Sequence, residues 1–158
     1  MSDTLTLAKK EYSKADASGK EILERVFGKN NLQINWRDIK TPEDAYAANG
    51  VSVDDVLPYK NPVTAKQVWL NAISTMEEIV RAINPGFFDR IDWSDTNQRK
   101  WRSWFEFKRA SGFRFCDSLY DYTITYSTGG SRLCSEDEER SNYIATQFID
   151  IWNIILSK

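Results

Sequence analysis

Histidine is missing from this 158-residue chain, and cysteine occurs only twice. Without imidazole there is no Ser-His or Cys-His nucleophile pair and no histidine metal ligand. Two thiols without a CxxC spacing make a poor zinc site. No apolar run approaches the roughly 18–20 residues of a membrane span. The longest candidate, Tyr143 to Leu156, is broken by Thr146, Gln147, Asp150 and Asn153. The first ten residues, from Met1 to Lys10, lack the apolar stretch of a secretory signal. Walker A, GxGxxG and GxSxG motifs are missing too. Net charge is only −2, so the whole molecule is no electrostatic glove for nucleic acid or an anionic membrane. These absences point to a cytoplasmic, non-catalytic protein with no cofactor, no metal and no membrane contact.

What is present is a globular composition. There are 8 Phe, 7 Tyr and 6 Trp, and 28% of residues are charged. One domain is the expectation at this length, and its core needs no metal or disulfide staple. The two thiols, Cys116 and Cys134, are expected in or near that core, with a disulfide open if their strands are neighbours.

Residues 1–17 read as a polar arm or helix, ahead of a single domain over 18–158. Ser18 and Glu21 have capping-box spacing, with an apolar stripe of Ile22, Leu23, Val26 and Phe27 behind them and Gly28 as the stop. Residues 29–40 are irregular or hold a short strand around Leu32 to Trp36. Thr41 and Pro42 open a short helix that ends at Asn49-Gly50. The stretch 51–61 reads as a loop. Asn61 and Pro62 then introduce the strongest helix, carrying Ala65, Val68, Trp69, Ala72, Ile73, Met76, Ile79, Val80 and Ile83 on one face. Asn84-Pro85-Gly86 stops it.

Asp92 to Asn97 has oxygen side chains in a calcium-loop order. However, Asn97 replaces the glycine and Ser103 the glutamate that such a loop requires. Asx turns are the expectation there. Three strands follow: 100–108, Phe113 to Cys116 after a loop at 109–112, and the alternating Tyr122 to Tyr126. A turn at Thr128 to Ser131 leads to a short Arg132-Leu133-Cys134. Ser135 to Glu138 forms another capping box, opening a final helix to 156 with Tyr143, Ile144, Phe148, Ile151, Trp152 and Ile155 inward. The expected fold is α+β: a small antiparallel sheet over about 100–134, packed against three to four helices.

Charge is unevenly spread. Residues 97–115 hold six bases against Glu106 alone, a local +5, while residues 116–158 carry a local −4. Alternation puts Trp101, Ser103, Phe105, Phe107, Phe113 and Phe115 toward the helices. It leaves Arg102, Trp104, Glu106, Lys108, Arg114 and Cys116 on the other face. Arg102, Trp104, Lys108 and Arg114 are therefore the candidate binding residues. The patch has a purely structural role, such as a cation–π contact on Trp104, or it binds a protein, or a single-stranded nucleic acid whose bases stack on the ring while cations track phosphates. Arg132 is read as an internal ion pair or an anion site. Adjacent carboxylates at Asp54-Asp55 and Glu77-Glu78 diverge, so no catalytic residue is assigned.

Thr41-Pro42-Glu43-Asp44-Ala45, Asp92-Trp93, Lys100-Trp101 with Trp104-Phe105, Gly112-Phe113, Ser131-Arg132-Leu133-Cys134 and Tyr143 with Gln147-Phe148 form a further pattern. In it the chain resembles a family of uncharacterised small proteins of gut-anaerobe phages and mobile elements, over about residues 18–156. The resemblance carries no assigned activity and no functional residue. It departs at Ser103, where members often have proline, and at Ser135, where they have an aromatic or aliphatic residue. It implies a host-cell protein with a host or phage protein as partner, with a virion-associated structural role as an alternative.

Overall fold

A computed structural model describes residues 3–32, 35–92, 94–95, 97–110, 112–121 and 133–157. The architecture is α+β. Helices α1 (Asp3–Lys14), α2 (Ala17–Phe27), α3 (Lys29–Leu32), α4 (Pro42–Asn49), α5 (Val53–Val56) and α6 (Ala65–Ile83) precede strands β1 (Lys100–Lys108) and β2 (Gly112–Asp121). Helices α7 (Glu138–Gln147) and α8 (Ile149–Leu156) follow. The expected strand at Tyr122–Tyr126, the turn at Thr128–Ser131 and Arg132 lie outside the described residues.

The core forms where α6 meets α7 and α8. Met76, Ile79, Val80 and Ile83 are fully buried against Ile144, Phe148 and Trp152. These are the apolar positions of the α6 stripe, and burying each such side chain favours folding by about 1.5–3 kcal/mol. The helix begins later than Asn61-Pro62 suggests. Thr64 caps it instead, because Gln67 Oε1 accepts from both the Val63 and Thr64 N–H groups while Thr64 Oγ1 accepts from Gln67 N–H. At its other end Asn84 is wholly buried. Its Nδ2 donates to Val80 O at 2.8 Å, and its Oδ1 accepts from Glu136 N–H at 2.9 Å. Arg140 Nε adds a bond to Ile83 O at 3.0 Å. The end of α6 is thereby tied to the start of α7.

Local signals hold at α4, where Thr41 and Asp44 form a reciprocal capping box and Gly50 takes the left-handed conformation. Four other expectations need correction. Asp16, not Ser18, caps α2, because its carboxylate accepts from Gly19 N–H at 2.8 Å. Within 29–40, read as irregular or holding a short strand, Leu32 ends α3 and Trp36–Asp38 form a 3-10 turn capped by Asn35, while residues 33 and 34 lie outside the described residues. The loop 51–61 contains α5, held by a Ser52–Asp55 capping box. The last helix is two helices, broken at Phe148. Just before the break, Thr146 Oγ1 bonds back to Asn142 O at 2.8 Å, a contact that bends helices.

The hairpin β1–β2 is antiparallel, with Trp104 opposite Asp117 and Phe105 opposite Phe115. Cys116 is therefore an extra residue, a β-bulge. The edge of β1 at Trp101 is extended by a bridge to Ser135. That pairing takes Ser135 away from the helix cap expected of it, and Asp137 caps α7 instead. No helix among the described residues is long and apolar enough to cross a membrane.

Candidate functional site

The register decides which side chains face out. Phe105 lies opposite Phe115 and Phe107 opposite Phe113, so these four share the face toward α7 and α8, and the bulge shifts parity only beyond Cys116. Phe105 packs on Trp152 with ring centroids 4.9 Å apart. Ser103, Ser118 and Ser141 make a small buried junction, with Ser118 Oγ donating to Ser141 Oγ at 2.8 Å. These short side chains let α7 approach the strands closely.

Asn153 of α8 closes the outer edge of β2. Its Oδ1 accepts from Phe113 N–H at 2.7 Å, and its Nδ2 donates to Phe113 O at 3.1 Å and to Ile149 O at 3.0 Å. It supplies both bonds that a neighbouring strand would otherwise make. Gly112 makes room for it. Its φ is +77°, and a Cβ there would lie 2.6 Å from Asn153 Oδ1.

The opposite face of the hairpin turns away from the helices. Trp104 is 58% exposed in mid-strand. Leu119, its diagonal neighbour across the ladder, is half exposed. Glu106 sits between two of the expected cations. Its Oε2 pairs with Lys108 Nζ at 2.9 Å and its Oε1 pairs with Arg114. Bonds from Lys108 and then Arg114 hold its carboxyl below the usual range, so the trio carries one net positive charge. Arg102 is half-buried and already engaged within the molecule. It stands near Cys134, whose burial pushes the thiol up to about 11 against the pull of Arg102 and Lys100.

The structure thus brings Trp104, Lys108 and Arg114 onto one accessible face, with Arg102 at its covered end. Cys116 corrects the expectation of a core thiol: the bulge exposes it, and both cysteines are free. Leu119 was not among the sequence candidates. Its signal was the alternation Ser118-Leu119-Tyr120, hidden because the bulge shifts parity at Cys116. Phe107 is also 62% exposed, at the hairpin tip beside Phe113. Arg99 lies over the Tyr120 ring, 4.6 Å from its centroid.

The acidic C-terminal segment is matched by Arg37 and Arg90 from elsewhere and by its own Arg140. Arg90 pairs with Glu136 at 2.8 Å, Arg37 with Glu139, and Arg140 with Asp137. Arg37 and Arg140 also both lie over the Trp36 ring. Over Asp92–Asn97 the described residues show the expected Asx contacts: Asp92 Oδ1 accepts from Ser94 N–H and Asp95 Oδ1 from Asn97 N–H, each at 2.8 Å. Among the described residues no group of three or more Cys, Asp or Glu could hold a metal ion. No protein-family model matches the chain, and no curated protein or solved structure matches it.

Proposed function

We propose that this is a non-catalytic protein-binding module whose contact surface is the outer face of β1–β2, with Trp104 as its anchor. The observation that carries the reading is a large aromatic, more than half exposed, on a strand whose other face is locked to α7 and α8. An exposed indole on a rigid ladder loses little entropy when a partner covers it, and Trp is the residue type most enriched at binding hot spots. Leu119 widens the apolar centre, and Lys108 and Arg114 form a polar rim. Following the sequence resemblance, the partner is a host or phage protein met inside the host cell or in a virion.

Glu106 weighs against the nucleic-acid alternative. A phosphate would have to displace this carboxylate from both Lys108 and Arg114. The test is affinity capture by the full chain with and without nuclease, comparing wild type with Trp104→Ala. A partner retained after nuclease and lost with the indole supports the reading. Recovery that collapses with nuclease moves the assignment to nucleic acid.

A further inference from the structure

We propose that Asn49-Gly50 is a self-modification site: the Asn49 amide is lost as ammonia when α4 lifts from α6, and the carboxylate left behind keeps α4 from docking again. Asn-Gly occurs once in the chain, at the C-terminal end of α4. Glycine has no Cβ to screen its backbone nitrogen. That nitrogen attacks Asn49 Cγ as its own proton passes to solvent. The bond from Cγ to Nδ2 breaks, ammonia departs and a cyclic imide closes. Water then opens the ring at either carbonyl, giving aspartate or isoaspartate. Water is consumed and ammonia released, and no other reagent is required.

In the docked helix both reacting groups are held. The Gly50 N–H donates to Ala47 O at 3.2 Å, in a turn where Gly50 has φ +70°. Asn49 Nδ2 donates to Glu78 O at 2.8 Å and to Glu78 Oε2 at 2.7 Å. Both donors of the amide are thus spent on α6. To swing toward the Gly50 nitrogen, the amide must give up these bonds and leave a carboxylate that is only 14% exposed without its partner. A local opening of α4 frees both groups together.

The product reverses the contact. An amide that donates twice becomes a carboxylate that only accepts. It faces Glu78 O and Glu78 Oε2, which are acceptors as well, and like charges at this separation disfavour each other. Arg81, 3.9 Å from Glu78 Oε1, is a single cation against two carboxylates. Isoaspartate also lengthens the backbone by a methylene inside the Gly50 turn. The face that loses its docking includes the fully buried Ala45 and Tyr46, whose hydroxyl bonds Thr75 Oγ1 at 2.8 Å. The opening of α4 is reversible and the chemistry is not, so position 49 keeps a covalent record of it.

Peptide mapping by mass spectrometry tests the reactivity, on the full chain aged at mildly alkaline pH with and without urea. Conversion at position 49 should be about tenfold or more slower in the native protein, because only the locally opened fraction reacts. Equal rates in the two conditions, or no conversion in urea, overturn the inference. Thermal denaturation tests the consequence. Asn49→Asp should lower Tm by several degrees, and Glu78→Gln in that background should recover part of the loss, since its amide can donate to the new carboxylate. Glu78→Gln alone should stay close to wild type, because its carbonyl still accepts from Asn49. Should Asn49→Asp fail to fold, recovery of folding by Glu78→Gln supports the same contact. An Asn49→Asp protein as stable as wild type, or one that Glu78→Gln does not help, overturns the inference.

Discussion

Replacing Gly112 with alanine tests how the hairpin is held. Two costs arise. A Cβ at φ +77° places an ordinary residue in the left-handed region, at about 1–2 kcal/mol. The same Cβ would lie 2.6 Å from Asn153 Oδ1, so the amide must move. Moving it gives up three bonds, to Phe113 N–H, Phe113 O and Ile149 O. At about 0.5–1.5 kcal/mol each, the total cost of Gly112→Ala is roughly 2.5–6.5 kcal/mol. For a domain of this size that lowers Tm by roughly 5–26 °C. Because both residues act on one contact, the two substitutions must couple. In an Asn153→Ala background the bonds are already gone and the clash is relieved. There Gly112→Ala should cost only the backbone strain, about 1–2 kcal/mol. Urea denaturation of the four proteins, followed by circular dichroism, measures the cycle. If Gly112→Ala costs the same in both backgrounds, the fit between Gly112 and Asn153 does not operate as described.

Other consequences are as direct. Asn84→Ala removes the link between α6 and Glu136 and leaves buried polar groups unsatisfied, so it should destabilise by roughly 2–4 kcal/mol in the same denaturation assay. A colorimetric thiol reagent should modify one cysteine quickly in the native protein, the exposed Cys116, and Cys134 only after unfolding. Two equally fast thiols would contradict the bulge placement. Glu106→Gln should release Lys108 and Arg114 and strengthen retention on heparin at neutral pH. Because the folded carboxyl is depressed, its pairing is complete above the unfolded value and is lost as pH falls through the folded one. Wild type should therefore approach the variant's retention only in acid below the usual carboxylate range.

Legibility differed between local and long-range features, for physical reasons. The α6 stripe was readable because its apolar residues repeat at helix spacing, and that face is the core. The α4 start was readable because Thr41, Pro42 and Asp44 complete a cap among themselves. Ser135 misled, since its backbone is taken by Trp101, more than thirty residues away in sequence. Nothing local announces that pairing. The break at Phe148 lay hidden inside an apolar run that reads as one helix. On the outer face of the hairpin, alternation placed Trp104 outward, where it is exposed. It could not show that Glu106 holds Lys108 and Arg114, because the pairing of Glu106 with Arg114 depends on the hairpin register. Nor did it reveal Asn153, a polar residue on an apolar helix whose purpose is visible only beside Phe113.

The central claim is that Trp104 anchors a protein partner, and its most direct test is capture from host lysate by the tagged full chain, after nuclease treatment. Wild type should retain a stoichiometric protein. Trp104→Ala should weaken that retention about thirtyfold or more, the loss of a hot spot worth about 2 kcal/mol or more, while its Tm stays within a few degrees of wild type. Equal retention by both proteins would contradict the claim.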